Sequence, residues 1–471
     1  MSFLGQIFVD GLILLLQFVL VPLDHLSAAL AKAYSIVSFG STEGASSRQA
    51  SNKKTVVIVG GNFSGLAALW ELMKHRDRFR VILIDQKEYF EYTPGVLRLF
   101  CCSSHFENVA QKLPSGPFQK IQGKVTAIAN ARGDRILSYT TSENKTEHLS
   151  YDYIVLATGS TYNYPVTASN TEVSLKERQV GWQAAQSRLE AASSVLILGA
   201  GAVGCELAAE IVDFFPQKEV TMVDASPTLV PLFPKAVGEY AAKWLTKRGV
   251  RLALGQMLDS WGETSCKLRD GTTYRADIVY VCFGDKPNSQ CVSTTSDTPQ
   301  SSSLAVPFQP QLDRRKCIVV SNTLQLSCTD KLEGVVFACG DVATPPTEAN
   351  KQAFHAETQG HLAAKNITRV EFQRKLLRYP EDIAGSSQMP LIFILSLGRY
   401  DGVLGFNELV VCGPITAVLK WGLEFTKVMH MQGRPLGKMI WNLAEEVVFF
   451  LSRTVVKPSV PTATLAKAKV G

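Results

Sequence analysis

The sequence has no cysteines at the spacings that redox and metal sites use. Its ten cysteines are scattered over 471 residues without a C-x-x-C or C-x-x-x-x-C pattern, and adjacent Cys101 and Cys102 have a poor geometry for a redox pair. This usage indicates reduced thiols in a cytosolic type of compartment rather than a disulfide framework. We therefore expect neither disulfide reduction nor a metal site.

Concentrated charge is also absent. Charged residues make up 19% of the chain, the net charge of +6 is spread out, and lysine and arginine form no cluster. Nucleic-acid-binding proteins carry a basic face, so that function class is excluded. The apolar share of 46% and the length predict a folded protein of two or three domains.

The N-terminus lacks the basic start of a secretory signal and the arginines of a mitochondrial presequence. Residues 3–23, FLGQIFVDGLILLLQFVLVPL, are nearly all apolar, but Asp10 and Pro22 shorten the clean stretch to about a dozen residues. A spanning, re-entrant or interfacial helix stays open, as does a helix packed on the folded body. Basic residues follow the segment and none precedes it, so we expect the body to face the cytosol. We predict a membrane-associating segment at 1–38 and a flexible linker at 39–54.

A first stretch, VVIVGGNFSGLAAL, predicts a strand, a nucleotide-binding turn and a helix. Gly60 and Gly65 occupy the first and last glycine positions of G-x-G-x-x-G, but Asn62 stands at the middle one. A second apolar strand ends at Asp85, about where an acidic residue binds ribose hydroxyls in a βαβ dinucleotide fold. The unit therefore predicts a pyrophosphate turn with one departure.

A second stretch, SSVLILGAGAVGCELAAEI, carries the complete fingerprint at Gly199, Gly201 and Gly204. Asp224 follows Gly199 at the same spacing of 25 positions that separates Asp85 from Gly60. One fingerprint alone is weak, whereas two in strand–turn–helix context with matching acids are a strong indication of a tandem dinucleotide-binding architecture.

Each half also ends in a similar way. Apolar strands run into Ala157-Thr158-Gly159 in the first half and into Gly284 in the second, and a later strand runs into Gly340-Asp341. We therefore predict an α/β fold with two Rossmann-type domains, the second inserted into the first.

With these motifs, the chain resembles the two-dinucleotide-binding-domain flavoproteins. It is similar to their apoptosis-inducing-factor-like branch, which includes ferroptosis suppressor protein, and more distantly to type II NADH dehydrogenases. The motifs are VVIVGGNFSG, VLRLF, GKVTAI, LATGS, GAGAVGCELAAE, FACGDVAT and SLGRYDG. The resemblance implies an FAD-binding domain at 55–165 and 300–367, an NAD(P)H-binding domain at 166–299 and a small C-terminal α+β domain at 368–471.

The resemblance also implies the FAD contacts. Asp85 would bind the adenosine ribose, Arg98 would contact the flavin nucleotide, Val125 would pair with adenine through its backbone, and Asp341 would bind the ribityl chain. Other contacts would come from Ala157, Thr158, Gly159, Gly284 and Gly340. The pyrophosphate turn, at a helix N-terminus that favours anions, would comprise Gly60, Gly61, Asn62, Phe63, Ser64 and Gly65.

We expect FAD to bind despite Asn62. Asparagine tolerates unusual backbone angles better than other non-glycine residues, and its amide can donate to a phosphate oxygen. The alternative is a degenerate site in a non-redox relative.

The second turn, with Gly199, Gly201 and Gly204, would hold NADH. Asp224 would bind its ribose and repel the 2′-phosphate of NADPH, and no arginine follows closely, so NADH is favoured while NADPH stays possible. Glu206 matches the family's glutamate near nicotinamide and flavin. Lys351 would lie at the flavin edge or be a solvated lysine on a helix, and for Cys339, His355 and His361 we favour structural roles.

The implied activity is hydride transfer from NADH to FAD and electron transfer to an acceptor, a chemistry that the cofactor itself carries. The apolar N-terminus favours a lipophilic quinone, and so does an amphipathic helix at 438–453. Its predicted apolar face holds Ile440, Leu443, Ala444, Val447, Val448 and Leu451.

Three alternatives stay open. The acceptor would be a soluble electron-carrier protein, or the chain would be an apoptosis-inducing-factor-like signalling or scaffold protein with incidental NADH oxidation. The helix at 438–453 would instead dock on its own domain or on a homodimer partner.

Residues 289–311, rich in serine, threonine, glutamine and proline, predict a surface loop.

Overall fold

The computed structural model describes residues 3–39, 53–131, 134–293, 305–307, 310–326, 334–347 and 351–454. Almost all of the predicted linker at 39–54 lies outside the described residues, and so does much of the predicted loop at 289–311.

The first part of the chain holds an N-terminal helix and a nucleotide-binding module. Three short 3-10 helices lie at Met73–His75, Thr93–Phe100 and Ser103–His105. The other elements are α1 (Phe3–Phe39), β1 (Lys54–Val59), α2 (Phe63–Leu72), β2 (Phe79–Asp85), β3 (Tyr89–Glu91), α3 (Phe106–Val109), β4 (Ala110–Lys112), β5 (Gln119–Ala131), β6 (Asp134–Thr141), β7 (Thr146–Ser150) and β8 (Tyr153–Leu156).

The second module follows at once. Its elements are β9 (Ser160–Thr161), α4 (Leu175–Ala191), β10 (Ser194–Leu198), α5 (Ala202–Phe214), β11 (Glu219–Asp224), α6 (Lys235–Thr246), β12 (Arg251–Leu254), β13 (Leu258–Trp261), β14 (Ser265–Leu268), β15 (Thr273–Arg275), β16 (Ile278–Val281), β17 (Lys286–Pro287) and α7 (Gln290–Ser293).

The chain then returns to the first module and ends in a C-terminal part. A 3-10 helix lies at Gly340–Val342. The remaining elements are β18 (Ala305–Pro307), β19 (Ile318–Val319), β20 (Val336–Ala338), β21 (Ala343–Thr344), α8 (Ala353–Glu371), α9 (Glu381–Ala384), β22 (Ile392–Ser396), β23 (Gly402–Phe406), β24 (Leu409–Cys412), α10 (Pro414–Met431) and α11 (Pro435–Thr454).

The first module is built on one large sheet in the order β20–β8–β1–β2–β5–β6–β7. β1 pairs in parallel with β2 and β8, and its residues 56–59 are buried in the core of the module. β20 comes after the second module in sequence yet pairs in parallel with β8. Two separated stretches of the chain therefore complete a single sheet.

The second module has a parallel sheet in the order β12–β11–β10–β16 and a separate antiparallel sheet of β13, β14 and β15. Each parallel sheet carries a strand–turn–helix–strand unit, β1–α2–β2 in the first and β10–α5–β11 in the second. The predicted α/β class with Rossmann-type parallel sheets is confirmed, whereas the domain boundaries remain a prediction.

The two modules are joined by a short antiparallel pair of β9 and β17. Next to it, the Thr158 hydroxyl donates to the Asn288 carbonyl at 2.7 Å, and the Asn288 amide donates to the Thr158 carbonyl at 2.9 Å. The two segments that the sequence identified as matching strand ends therefore lie side by side, where the chain crosses between modules.

The predicted loop at 289–311 is wrong in part. Gln290–Ser293 is helical, and β18 adds to the edge of β5, where Val306 pairs with Asn130.

The C-terminal part is an antiparallel sheet of β22, β23 and β24 with two long helices. α10 packs on β22 and β23, and α11 packs on α10.

Helix α1 extends beyond the apolar run at 3–23, since it continues through Pro22 to Phe39. One side of it docks on α10 and α11. Val9 is buried with Ala417 and Val418, and Asp24, only 3% exposed, pairs with Arg434 at 2.7 Å. Among the alternatives, packing on the folded body accounts for this side only, since ten large apolar side chains between Ile7 and Leu30 are exposed.

Candidate functional site

The two nucleotide turns have the same backbone geometry. Gly60 and Gly199 have φ values of +107° and +108°. A Cβ atom at Gly65 would lie 1.8 Å from the Gly60 carbonyl oxygen, and one at Gly204 would lie 1.9 Å from that of Gly199. Only glycine permits this close crossing of helix and turn, so both turns are built as the sequence predicts.

The middle glycine of the second turn, Gly201, faces open space. A Cβ atom there would meet no heavy atom within 4 Å, and the N-terminus of α5 has no side-chain cap. Uncapped backbone N–H groups at a helix N-terminus attract anions. This turn therefore fits a pyrophosphate.

The role of Asn62 in the structure differs from the role that the sequence predicted. Its φ of −110° and ψ of −155° are ordinary extended values, so tolerance of unusual backbone angles is not the explanation. Its side-chain oxygen accepts from the Phe63 N–H at 2.9 Å, and its amide donates to the Glu91 carbonyl at 3.2 Å. Asn62 is thus the N-cap of α2, and its amide is turned away from the role of phosphate donor that we expected.

Asp85 and Asp224 stabilise the two turns through hydrogen bonds with the backbone. A carboxylate oxygen of Asp85 accepts from the Gly61 N–H at 2.6 Å, and one of Asp224 accepts from the Ala200 N–H at 2.6 Å. In each case the other oxygen accepts from the backbone N–H two residues further on. Both carboxylates are therefore held at the mouth of a turn, the position predicted for ribose recognition.

The predicted segments after the sheet strands come together around the first turn. A Cβ atom at Gly60 would lie 2.3 Å from the Ala157 carbonyl oxygen, and one at Gly340 would lie 2.7 Å from the Ser64 hydroxyl. Asp341 accepts from the Ser160 hydroxyl at 3.0 Å.

Gly159 and Gly284 lie at the module crossover. Both have positive φ, and a Cβ atom at either would meet nothing within 4 Å. The backbone is therefore open to a ligand between the modules.

The other two predicted FAD contacts, Arg98 and Val125, have partners within the protein. Arg98 forms an ion pair with Glu210 on α5 at 3.0 Å. Burial alone would lower the pKa of Arg98, but the charge of Glu210 outweighs it and raises that pKa. Arg98 therefore links the first module to the helix of the second turn. Val125 lies in β5, paired with Tyr139 beside a β-bulge.

A large cavity of about 710 Å³ lies between the two modules and the C-terminal part. We call it the interdomain cavity. Its volume is in the range of ligand-binding pockets. Its walls include Phe63, Tyr92, Gly199, Gly201, Glu206, Asp224, Cys282, Phe283, Lys351, Phe354, Glu357, Lys420, Lys427, Trp441, Ala444, Glu445 and Val448.

Glu206 is fixed at one wall of the interdomain cavity. One carboxylate oxygen accepts from the Ser396 N–H at 2.7 Å and from the Ser396 hydroxyl at 2.9 Å, and it pairs with Lys420 at 3.0 Å. Charge-assisted bonds of this kind are short and strong, and here they fix the orientation of the carboxylate. The sequence missed Ser396 and Lys420 because they come from β22 and α10, nearly 200 positions away.

Lys351 also lines the cavity, but it is not on a helix. It precedes α8 and donates to the Ala343 carbonyl. The alternative of a solvated helical lysine is therefore wrong.

The cysteines near the site are buried thiols. Burial raises the pKa of Cys282, in the cavity wall, and of Cys339, beside Gly340, to about 12. Because the thiolate is the reactive form, neither is a nucleophile at neutral pH. Cys101, Cys102 and the other cysteines in the described ranges are free.

Helix α11 does not have the single apolar face that the sequence predicts. Ala444 and Val448, together with Trp441, line the interdomain cavity. The outward side carries Met439, Leu443, Val447 and Phe450, which are exposed. The predicted face is therefore divided between the two sides of one cavity wall.

The family model described as pyridine nucleotide-disulphide oxidoreductase matches residues 54–360, more than half of the chain. Among curated relatives, ferroptosis suppressor protein 1 of Xenopus tropicalis is 29% identical over 366 residues, which is 75% of this chain and 88% of the relative.

Two solved structures share the fold. The sulfide:quinone oxidoreductase of Aquifex aeolicus matches with a TM-score of 0.63 and 16% identity, over 87% of this chain and 99% of its own. A type II NADH dehydrogenase of Plasmodium falciparum, solved in complex with NADH, matches with a TM-score of 0.62 and 12% identity, over 86% and 99%. The resemblance found in the motifs is confirmed.

Proposed function

Because the chain belongs to the pyridine nucleotide-disulphide oxidoreductase family, we propose that it transfers electrons from NADH through FAD to a lipophilic quinone at a membrane surface. Membership of the family supports the general part of this proposal, that the chain is an NAD(P)H-dependent flavoprotein oxidoreductase. The preference for NADH, the quinone acceptor and the membrane are the proposal.

The two turns are the proposed cofactor sites. FAD would lie on the turn from Gly60 to Gly65 and near Asp341, and NADH would lie on the turn at Gly201 beside Asp224. When bound, FAD accepts a hydride from NADH and passes two electrons to the acceptor. The open backbone at Gly159 and Gly284 supports this assignment, since a ligand has room to cross between the modules.

Protein groups in the cavity would position the reactants and set the local field. Glu206, held by Lys420 and Ser396, would orient the nicotinamide end of NADH. Lys351 would face the acceptor. Hydride transfer itself needs no acid–base pair. In this proposal Glu206 and Lys351 therefore orient the reactants and contribute to the local electric field.

The observation that carries the quinone proposal is the two-sided position of α11. Its inner residues line the interdomain cavity, and its outer residues, among them Leu443 at 66% and Phe450 at 61% exposure, form an apolar face beside α1. Exposed apolar faces of this kind are typical of membrane or partner contacts. A lipophilic acceptor would reach the cavity from that side, and the quinone named for the Aquifex protein supports the choice.

Helix α1 supports the proposed association with a membrane. Over Gly5–Leu30 it is long and apolar enough to span a bilayer by length and composition, and little of this stretch is buried. The basic residues that follow it favour a cytosolic position for the folded body. A homodimer contact is the alternative use of the exposed faces.

A spectroscopic experiment tests the proposal. Purified full-length protein is expected to show flavin absorbance that anaerobic NADH bleaches and a short-chain ubiquinone restores. Protein without flavin, or with flavin that NADH reduces and quinone does not reoxidise, would favour the signalling or soluble-carrier alternatives.

A further inference from the structure

Five ionisable side chains, three of them buried and two partly buried, form a cluster at the α11 wall of the interdomain cavity, and the roles proposed above use none of them. The Lys427 ammonium pairs with Glu357 at 2.6 Å, and His430 lies 3.1 Å from the other Glu357 oxygen. One donor atom each of Glu357, His361 and Glu445 lies within 4.8 Å of the other two. Glu357, Lys427 and Glu445 line the cavity.

We propose that Glu445 donates a proton to the acceptor that is reduced in the interdomain cavity, and that His361 returns a proton to Glu445 from solvent. This inference rests on the proposed quinone reduction. Converting a quinone to a quinol takes two electrons and two protons. The hydride of NADH brings both electrons and one proton, so the second proton must come from solvent through the protein.

Glu445 is suited to the donor role by its position. It lies on the cavity face of α11, one helical turn from Trp441 and next to Ala444, so it reaches the space in which a quinone ring would lie. The described charged groups that face it are Glu357, His361 and Lys365 on α8 and Lys427 on α10. Asp24 of α1, packed near the start of α11, is already paired with Arg434.

Burial and the charges around Glu445 favour its protonated form. Burial alone would raise the pKa of Glu357, but Lys427 and His430 hold that pKa well below its usual range, so Glu357 is ionised. Burial and the negative charge of Glu357 then raise the pKa of Glu445. After donation, two carboxylates would face each other in a buried site, which favours rapid uptake of a new proton.

His361 provides the connection to solvent. Its side chain is 17% exposed, and its Nδ1 lies 3.4 Å from Glu71. Burial would raise the pKa of Glu71, but the bonds from His361 and Lys74 lower it to about 2. Glu71 therefore stays ionised and fixes the imidazole ring. A separation of up to 4.8 Å between His361 and Glu445 leaves room for one bridging water.

The test compares an acceptor that takes up protons with one that does not. Full-length Glu445→Gln would be assayed with NADH and either a short-chain ubiquinone or ferricyanide, which takes one electron and no proton. We expect the ratio of ubiquinone to ferricyanide turnover to fall at least about tenfold, the lower end of general acid contributions. Glu446→Gln, an exposed neighbour on the same helix, is the matched control and keeps the ratio.

The pH dependence has a defined sign. In the wild type, the ubiquinone rate should fall as pH rises through the raised pKa of Glu445, because the donor loses its proton there. Glu445→Gln should be slow and lack this decline, Glu445→Asp should restore part of the rate, and His361→Gln should slow repeated turnover. An unchanged ratio and pH profile in Glu445→Gln, or an equal fall in Glu446→Gln, would overturn the proposal.

A second readout does not depend on turnover. The infrared carbonyl band of a protonated carboxylic acid should be present at neutral pH in the wild type and in Glu446→Gln, and absent from Glu445→Gln. An identical band in all three proteins would also overturn the proposal. Wild-type protein that reduces ferricyanide but no quinone would overturn the proposed function instead, while the band still decides whether Glu445 carries the proton.

Discussion

Asp224 serves the fold and, in our proposal, the choice of nucleotide with the same carboxylate. Its two oxygens accept from the backbone N–H groups of Ala200 and Ser226, both at 2.6 Å. These bonds fix a negative charge at the mouth of the second turn. A 2′-phosphate placed beside it would be repelled, whereas a ribose hydroxyl would be accepted.

We therefore predict that Asp224→Asn weakens the preference for NADH. Asparagine keeps an oxygen acceptor for one of the two backbone N–H groups but removes the charge, so the ratio of kcat/KM for NADH to that for NADPH should fall at least about tenfold, or about 1.4 kcal/mol. Steady-state kinetics with both nucleotides would measure it. Asp259→Asn, an exposed aspartate on β13 of the same module, should leave the ratio unchanged. A wild type that uses NADPH equally well would contradict the prediction at the outset.

The local sequence pattern was sufficient to predict the roles of the turn glycines, but it could not predict contacts between residues far apart in the chain. Gly60, Gly65, Gly199 and Gly204 could be predicted because the crossing of turn and helix depends on residues five positions apart. The place of Glu445 in a charged cluster could not be predicted, because its neighbours come from other helices and only packing brings them together.

At the scale of single elements, the same limit explains Asn62 and α11. The departure at Asn62 was visible in the sequence, but Glu91, which accepts from its amide, lies 29 positions away, so the bond that turns the amide away from a phosphate was not. For α11, periodicity indicated an apolar helix correctly. It could not show that α10 and α8 would cover one side and leave a cavity there.

Helix α11 leads to a prediction about access to the cavity. Replacing Leu443 and Val447 by glutamate puts charge on the outward face without touching the cavity wall. We expect the KM for a long-chain quinone embedded in liposomes to rise severalfold, because the charged face no longer sits in the apolar layer. The KM for a short-chain ubiquinone in solution should stay the same.

Asn442→Glu is the control for this experiment, since it adds a negative charge, one where the double variant adds two, at an exposed polar position of the same helix. Equal effects of this variant and of the Leu443/Val447 variant would mean that charge alone matters. An unchanged KM for the embedded quinone would exclude the outward face as the route of entry.

At the scale of the whole molecule, the interdomain cavity belongs to no single part of the chain. The second turn forms one end, α8 and the first module form a side, and the C-terminal helices close it. The sequence predicted the two modules because each carries its own motifs. It predicted a C-terminal domain and an amphipathic helix, but not that β22, α10 and α11 would form the third wall, because that depends on which surfaces they pack against.

In our proposal, helix α1 extends this arrangement toward a bilayer. Its 37 residues correspond to about 55 Å of helix, longer than the roughly 30 Å apolar core of a membrane. It contacts the body through α10, α11 and Tyr400, whose hydroxyl donates to Asp10 at 3.3 Å. None of these contacts belongs to the nucleotide turns.

Removing α1 should therefore separate membrane binding from cofactor binding. A variant that begins at Ser51 is expected to keep its flavin, and its recovery with neutral phosphatidylcholine liposomes in a flotation gradient should fall severalfold. Asp24→Asn in the full chain loosens the contact with Arg434 but keeps the apolar helix, so it should float like the wild type. A truncated protein that floats completely would show that α11 alone attaches the molecule, and loss of flavin on truncation would mean that α1 supports the fold of the site as well.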